Sequence, residues 1–287
     1  MAASFIPEIN PVIIGASTMG IGGLILGLTA LPGVWMVWHN IGAKSLVIAG
    51  ACGLALYSTV FYIGMSWAGV ALGNVIALGS APLFAGLIEW VVDKQRPTAM
   101  WLGATAITVV GGVLLVSGRN FGEDGRGVVR DSAMVVAGIV LALLAGFAYA
   151  LYTYMANKLM KPHADRPQGL GHRPVISTIQ LVSALPLIVL LVALVIVNPG
   201  QFSNVPLAIP VMAYLAIFPT AVGHLLLAVG LGVMPASRAA VYTLFEPVVA
   251  VILAVIVVGE VITPLGWIGL LIVLAGLALL SQEKRSR

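Results

Sequence analysis

Residues 71–118 read ALGNVIALGSAPLFAGLIEWVVDKQRPTAMWLGATAITVVGGVLLVSG, and residues 236–282 repeat the pattern as ASRAAVYTLFEPVVAVILAVIVVGEVITPLGWIGLLIVLAGLALLSQ. An offset of about 165 positions superimposes the two stretches, and a Pro-Val-Ile triplet recurs at about the same offset near the start of each half. The matched residues are Pro82 with Pro247, Thr98 with Thr263, Gly111 with Gly276, and Pro11 with Pro174. Two copies of one hydrophobic unit therefore build this chain.

The composition is that of a protein embedded in lipid. Hydrophobic residues make up 60% of the 287 residues and charged residues 8%, and the mean hydropathy is +1.09. Apolar runs of about 20 residues recur along the chain, and each is long enough to cross the roughly 30 Å hydrocarbon core as a helix. Because backbone polar groups find no water there, these runs must be helical. We predict an all-α polytopic membrane protein without a soluble domain.

Several classes of site are excluded by the residue types present. Cys52 is the only cysteine, which excludes a disulfide framework and a cysteine-based metal site. The net charge of +4 comes from basic residues spread over loops without interleaved aromatic residues, a pattern that does not indicate nucleic-acid binding. The sequence contains no phosphate-binding Gly-Lys-Ser/Thr loop, no HExxH motif and no Gly-x-Ser-x-Gly elbow. We therefore expect no enzyme activity, no cofactor and no metal.

The apolar runs predict nine membrane spans, and the loops between the spans carry an uneven charge. Eleven Lys and Arg residues lie in the loops on one side and three on the other, which predicts a cell-membrane protein with its C-terminus in the cytoplasm. The predicted spans are 11–31, 45–65, 71–92, 99–117, 134–157, 174–198, 207–229, 236–258 and 264–281.

These spans divide into a first repeat at 1–118, an external linker at 119–133 and a second repeat at 134–287. The first repeat holds four spans and the second holds five, because the counterpart of the helix that contains Gly138 falls before Met1. We expect that the first helix of the first repeat is missing, although a mis-assigned start, a truncation and a nine-helix protein all fit the sequence. Five helices in each repeat, an odd number, would invert the second copy relative to the first.

Three parts of the second repeat resemble the EamA family of the drug/metabolite transporter superfamily. Residues 138–152, GIVLALLAGFAYALY, resemble the start of an EamA domain, and residues 225–236 resemble the helix-turn-helix join in its middle. The end of the domain is matched by Glu246-Pro247, Gly259-Glu260 and the glycines Gly266, Gly269 and Gly276. The first repeat has Lys94-Gln95 at the position of the Gly-Glu pair. The resemblance implies ten helices, two cytoplasmic termini and a central cavity lined by both repeats, in a transporter that exports amino acids, other metabolites or drugs.

Glu246 is the first candidate for a functional residue. It falls near the middle of a predicted span, where an ionised carboxylate is costly and marks a substrate contact or a proton carrier. Pro247 follows directly and frees a backbone carbonyl one turn earlier. A structural role is the competing explanation, because a Glu-Pro pair can brace a broken helix against its neighbour.

Aromatic residues with polar tips complete the predicted substrate site. Tyr242 lies four positions before Glu246, Tyr149 and Tyr152 share one helical face, and Tyr57 lies on an earlier span. Such faces suit a cavity that takes amphipathic organic solutes. Ordinary helix packing is the competing explanation for each tyrosine.

Polar residues and prolines inside the spans are further candidates. Asn74 is a predicted substrate contact, and His224 is a second candidate for proton coupling, with an interfacial position as the alternative. Glu89 and Arg238 lie near the predicted cytoplasmic boundary, either as a gate pair or as snorkelling side chains. The predicted hinges are Pro82, Pro219 and Pro247.

These features together predict a secondary transporter that works by alternating access. The spans contain almost no fixed charge, which favours export of small neutral or aromatic amino acids or related metabolites. Multidrug efflux with Glu246 as the counter-charge and a non-transporting membrane scaffold are the alternatives. The expected partners are a small-molecule substrate and the lipid bilayer, without nucleic acid, and the sequence leaves monomer and homodimer open.

Overall fold

A computed structural model describes residues 9–117, 132–162, 168–202, 206–253, 255–256 and 263–282. Within these ranges the chain is helical and contains no β-strand. The α-helices are α1 (Pro11–Leu28), α2 (Leu31–His39), α3 (Lys44–Ala68), α4 (Val70–Asp93), α5 (Ala99–Ser117), α6 (Ser132–Met160), α7 (His172–Val197), α8 (Ala208–Leu215), α9 (Gly223–Val233), α10 (Ala236–Thr243), α11 (Glu246–Leu253) and α12 (Pro264–Gln282).

Seven helical stretches are long and apolar enough to cross a membrane, counted over the described ranges. They match seven of the nine predicted spans and confirm an all-α polytopic membrane protein. The span predicted at 99–117 is a shorter apolar helix, and the span predicted at 236–258 is broken into α10 and α11. The count of nine spans therefore stays a prediction. The Gly259-Glu260 pair and residues 119–131 of the predicted linker lie outside the described ranges.

The helices α1 and α7, which carry the repeated Pro-Val-Ile triplet, pack antiparallel. Gly20 of α1 faces Ile188 of α7, and Gly27 faces Leu181, so the residue numbers run in opposite directions along the contact. A Cβ atom added at Gly27 would lie 2.6 Å from the Cβ atom of Leu181, which shows how closely the two helices approach. Equivalent helices that run in opposite directions are the arrangement that an inverted repeat requires.

A second pair of equivalent helices, α5 and α12, also packs antiparallel. Gly276 of α12 faces Thr108 of α5, and Gly269 faces Leu115. Small residues hold the two backbones close together, because lipid chains provide no hydrophobic drive for helix association and close packing must supply it. The glycine-rich ends of the repeats therefore form a second contact between them.

The largest buried cluster of the described residues joins the two repeats. Leu54 of α3, Tyr152 of α6, Ile176 of α7 and Leu231 of α9 are fully buried in it. Many outward-facing residues of the same helices are apolar and exposed, as expected for surfaces that lipid covers.

Two of the three predicted hinge prolines lie where the α-helix is interrupted. Pro219 lies inside a π-helical segment, Ala216–Val222, that joins α8 to α9. Pro247 is the second residue of α11 and follows the turn at Leu244 and Phe245. Pro82 differs, because α4 continues through it as one helix. Irregular helical turns of this kind often mark functional sites; the hinge motion itself stays a prediction.

Candidate functional site

A row of aromatic rings crosses the interior of the bundle and joins helices of both repeats. The ring centroids of Tyr57 on α3 and Tyr149 on α6 are 5.2 Å apart, and those of Tyr149 and Tyr152 are 5.9 Å apart. Phe61 extends the row at 5.1 Å from Tyr57, and His224 on α9 extends it at 5.8 Å from Tyr152. We call these five residues the aromatic row. The sequence predicted that Tyr149 and Tyr152 share a face, and the contact of both with other helices comes from the tertiary structure.

Glu246 begins α11 directly after the break in the second repeat. A carboxylate at the first position of a helix is stabilised by the helix dipole and by free backbone N–H groups. The equivalent position in the first repeat holds Ala81, which is buried inside the continuous helix α4. The break and the acidic residue thus occur together in one repeat only.

The Glu246 carboxylate lies within electrostatic range of three tyrosine hydroxyls, those of Tyr57, Tyr62 and Tyr149. Its side chain is nevertheless exposed. Because the carboxylate is exposed, it is accessible to a polar partner. An anionic group with aromatic rings within electrostatic range attracts an organic cation or an ammonium group.

His224 is tied to the π-helical segment that precedes it. Its Nδ1 lies 2.8 Å from the carbonyl oxygen of Thr220, and the side chain is buried. A carbonyl only accepts, so Nδ1 carries the proton and Nε2 is left as an acceptor in the neutral ring. The hydroxyl of Thr220 donates to the carbonyl of Leu215 at 3.0 Å. The ring of His224 is therefore packed between helices, and its role in proton coupling stays a prediction.

Three buried side chains, two on α7 and one in the aromatic row, have unmet hydrogen-bonding capacity. Within the described ranges, both amide atoms of Gln180 and the hydroxyls of Ser177 and Tyr152 have no partner, and all three residues are fully buried. Unpaired buried polar groups are costly and rare, and usually bind water or a ligand. Ser177 had no signal in the sequence beyond being a polar residue in an apolar run, and its spacing of three from Gln180 was the only available clue.

The other two predicted substrate contacts, Tyr242 and Asn74, lie near the turn between α10 and α11. Tyr242 lies at the end of α10, in a different helix from Glu246, so the spacing of four no longer guarantees a shared face. Asn74 lines a small cavity of about 20 Å³ together with Gly79 and Leu244. That volume holds about one water molecule.

One end of the bundle, which we call the basic end, is closed by polar contacts. It carries Lys94, Arg96, Lys158 and Arg173 at the junctions α4–α5 and α6–α7. There the Lys158 ammonium lies 3.3 Å from Asp93, and the Asn157 amide donates to the carbonyl of Leu231 at 2.5 Å.

Glu89 belongs to this closure. Its carboxylate is buried and accepts a hydrogen bond from the Ser237 hydroxyl, so the snorkelling position that the sequence left open is wrong.

These observations define a class of protein. Antiparallel repeats in a membrane bundle, a helix broken beside an acidic residue and a polar interior are the architecture of secondary transporters. A family model for the EamA-like transporter family matches residues 136–282, which is the second repeat. The chain is also 32% identical to the uncharacterized transporter YwfM of Bacillus subtilis over 282 residues, covering 97% of this chain and 86% of YwfM. The chain therefore belongs to the EamA-like transporter family and is a multi-pass membrane transporter.

Two further similarities cover most of the chain. The uncharacterized transporter sll1319 of Synechocystis sp. is 28% identical over 254 residues, which is 88% of this chain and 68% of that protein. A protein of known crystal structure superimposes with a TM-score of 0.69 at 16% sequence identity, over 98% of this chain and 91% of its own. At that level of identity the superposition demonstrates a shared fold.

Proposed function

We propose that the protein exports small neutral or aromatic amino acids, or related metabolites, across the cell membrane by alternating access. The observation that supports this most is the aromatic row, which joins the two repeats and has Tyr57 and Tyr149 within electrostatic range of Glu246. A solute held there touches both moving halves, which alternating access requires. The basic end faces the cytoplasm in this proposal.

The chemistry of the site suits a zwitterion with an apolar side chain. Glu246 offers a negative charge for an ammonium group, and the rings of Tyr57 and Tyr149 offer a face for an apolar or aromatic side chain. The unpaired amide of Gln180 and the hydroxyl of Ser177 supply donors for a carboxylate. In this proposal the ammonium, the carboxylate and the side chain of an amino acid each have a partner in the protein.

Multidrug efflux is the second candidate. Glu246 beside aromatic rings is also a good environment for a lipophilic cation, which has an apolar body and one positive charge. A lipophilic cation makes no use of the donors at Gln180 and Ser177, so the two candidates differ in that part of the site. A non-transporting scaffold, the third possibility, makes no use of either part.

Counterflow of labelled amino acids into proteoliposomes distinguishes the three. We expect saturable exchange of a few neutral or aromatic amino acids. The Tyr149→Ala variant should raise KM about tenfold, because it removes a stacking face. The matched control is Tyr214→Ala, since Tyr214 forms an equally close aromatic pair with Phe218, at 5.2 Å, on an exposed surface.

Exchange of lipophilic cations without exchange of amino acids would support drug efflux instead. Absence of exchange for both classes would favour the scaffold. Equal effects of the two tyrosine variants on KM would show that the aromatic row does not bind the substrate.

A further inference from the structure

We propose that a groove between α4 and α5, at the basic end, binds one anionic phospholipid. The groove encloses a volume of about 370 Å³ and lies on the outside of the bundle. It is separate from the aromatic row, so the proposal does not depend on the substrate or on transport. Leu83, Leu87 and Leu102 form its apolar wall, and each of them is about half exposed. In a membrane only lipid chains reach such a surface, and a groove of this depth holds part of an acyl chain.

The mouth of the groove carries the polar groups. Arg96 lines it and is exposed, and within the described ranges it forms no ion pair. Asp93, the acidic residue nearest to Arg96 in the sequence, is engaged by Lys158 at 3.3 Å, and no acidic side chain among the described residues pairs with Arg96. A guanidinium presents parallel N–H groups that match two oxygens of a phosphate. The charge therefore favours a lipid with a net negative headgroup over a zwitterionic one.

Trp101 provides the second, independent observation. It lines the same groove, is 5% exposed, and its indole N–H has no hydrogen-bond partner among the described residues. A buried indole N–H normally finds an acceptor, and a glycerol or phosphate oxygen at the level of the headgroups supplies one. Trp90 also lines the groove and is about half exposed, and tryptophan rings are enriched at the interface of a bilayer.

The start of α5 adds to the attraction for an anion. The Thr98 hydroxyl accepts a hydrogen bond from the backbone N–H of Trp101 at 3.0 Å, and the first N–H groups of the helix, at Ala99 and Met100, point toward the same end. A long helix that begins beside an arginine is a favourable place for a phosphate.

The second repeat lacks these residues, which separates this groove from the general architecture of the repeat. At the offset of about 165 positions, Trp101 corresponds to Gly266, Trp90 to Val255 and Arg96 to Val261. All three features of the mouth are therefore confined to the first repeat. We infer a single lipid site in each chain rather than two symmetric ones.

Native mass spectrometry of the purified full chain tests this directly, with phosphatidylglycerol and phosphatidylcholine as the probes. We expect the first added phosphatidylglycerol molecule to bind about tenfold more tightly than phosphatidylcholine. The Arg96→Gln variant should remove most of that preference. The Trp101→Phe variant, which keeps the ring and deletes the N–H, should weaken it by a few-fold.

The matched control is Lys44→Gln. Lys44 is exposed and begins α3 at the same end of the bundle, because α3 and α4 form a hairpin, but it does not line the groove. Equal binding of the two lipids by the unaltered protein overturns the proposal, and so does an equal loss in the Lys44 and Arg96 variants. If Trp101→Phe retains the preference for phosphatidylglycerol while Arg96→Gln loses it, the arginine is the sole determinant. That result would contradict the role of the indole.

Discussion

The carboxylate of Glu89 accepts two hydrogen bonds from Ser237, one from the backbone N–H at 3.1 Å and one from the hydroxyl at 2.5 Å. Glu89 lies near the end of α4 and Ser237 is the second residue of α10, so the contact joins equivalent segments of the two repeats. The backbone N–H of Ser237 is one of the unsatisfied donors at the start of a helix, and a carboxylate is its best acceptor. These two hydrogen bonds hold the repeats together at the basic end.

We expect that Glu89→Gln opens the basic end more often. Loss of the charge weakens both hydrogen bonds, by about 1–2 kcal/mol in total. A cysteine placed at Ala240, which is buried against Ala85 and Ala150, reports the opening through its maleimide labelling rate in a Cys52→Ser background. The rate should rise roughly 5- to 30-fold.

Two controls accompany the labelling experiment. Ser237→Ala deletes the hydroxyl but keeps the backbone N–H, so its effect should be smaller than that of Glu89→Gln. A cysteine at the exposed Ser281 should label at one rate in every background. If Glu89→Gln leaves the rate at position 240 unchanged, the contact does not control access.

Glu246→Gln should abolish the response of transport to a pH gradient. If the carboxylate exchanges a proton for the substrate, an acidic lumen drives uptake of labelled substrate into proteoliposomes, and the amide, which has no titrating proton, cannot follow. Counterflow, which needs no net proton movement, should persist with a higher KM. Glu246→Asp is the matched control and should retain the response. Full pH-driven uptake by Glu246→Gln would exclude this residue as the proton carrier.

Gln180→Leu should separate stability from function. The Gln180 amide is fully buried with no partner in the part of the chain that the structure describes, so an apolar side chain of similar size removes a desolvation cost of about 1–3 kcal/mol. We expect an unchanged or higher Tm in detergent together with a loss of amino-acid exchange. The opposite pattern, a lower Tm with normal exchange, would assign a purely structural role to the amide.

Gly111→Ala should destabilise the contact between α5 and α12. A Cβ atom there would lie 2.6 Å from the backbone nitrogen of Val273 and 2.9 Å from the carbonyl oxygen of Gly269, and a backbone cannot yield as a flexible side chain does. Overpacking of this kind costs about 1–3 kcal/mol. The adjacent Gly112 has no atom within 4 Å of its added Cβ, so Gly112→Ala should keep the wild-type Tm or raise it slightly. Equal Tm values for the two variants would contradict the close approach.

The nature of the bundle could be predicted from local properties. Apolar runs of the length of a bilayer must be helical, and the repeat of Pro82 as Pro247 marks the duplication without reference to any contact. Glu246 was recognisable as a candidate because an acidic residue in an apolar run is rare. Periodicity likewise put Tyr149 and Tyr152 on one face, since that relation lies within a single helix.

The interruption at Leu244 and Phe245 was beyond such reasoning. Both residues are apolar and the run reads as one span, while the equivalent segment around Pro82 stays continuous with the same proline in its middle. A proline permits a break but does not impose one, because neighbouring helices decide whether the freed backbone groups are satisfied. The π-helical turn around Pro219 is a second place where the surroundings of a proline, and not the proline alone, set the local helix geometry.

What the sequence by itself determined is a membrane-embedded duplication with a carboxylate in its second half, since hydrophobic length and residue identity are properties of each segment alone. Only the tertiary structure decided which residues meet: Glu89 with Ser237, Tyr57 with Tyr149, and Gln180 with no partner at all among the described residues. The two contacts join residues between 90 and 150 positions apart in the sequence. The absence of a partner for Gln180 depends on which helices surround it. Both are set by the packing of antiparallel helices, whose rotation and depth no local pattern encodes.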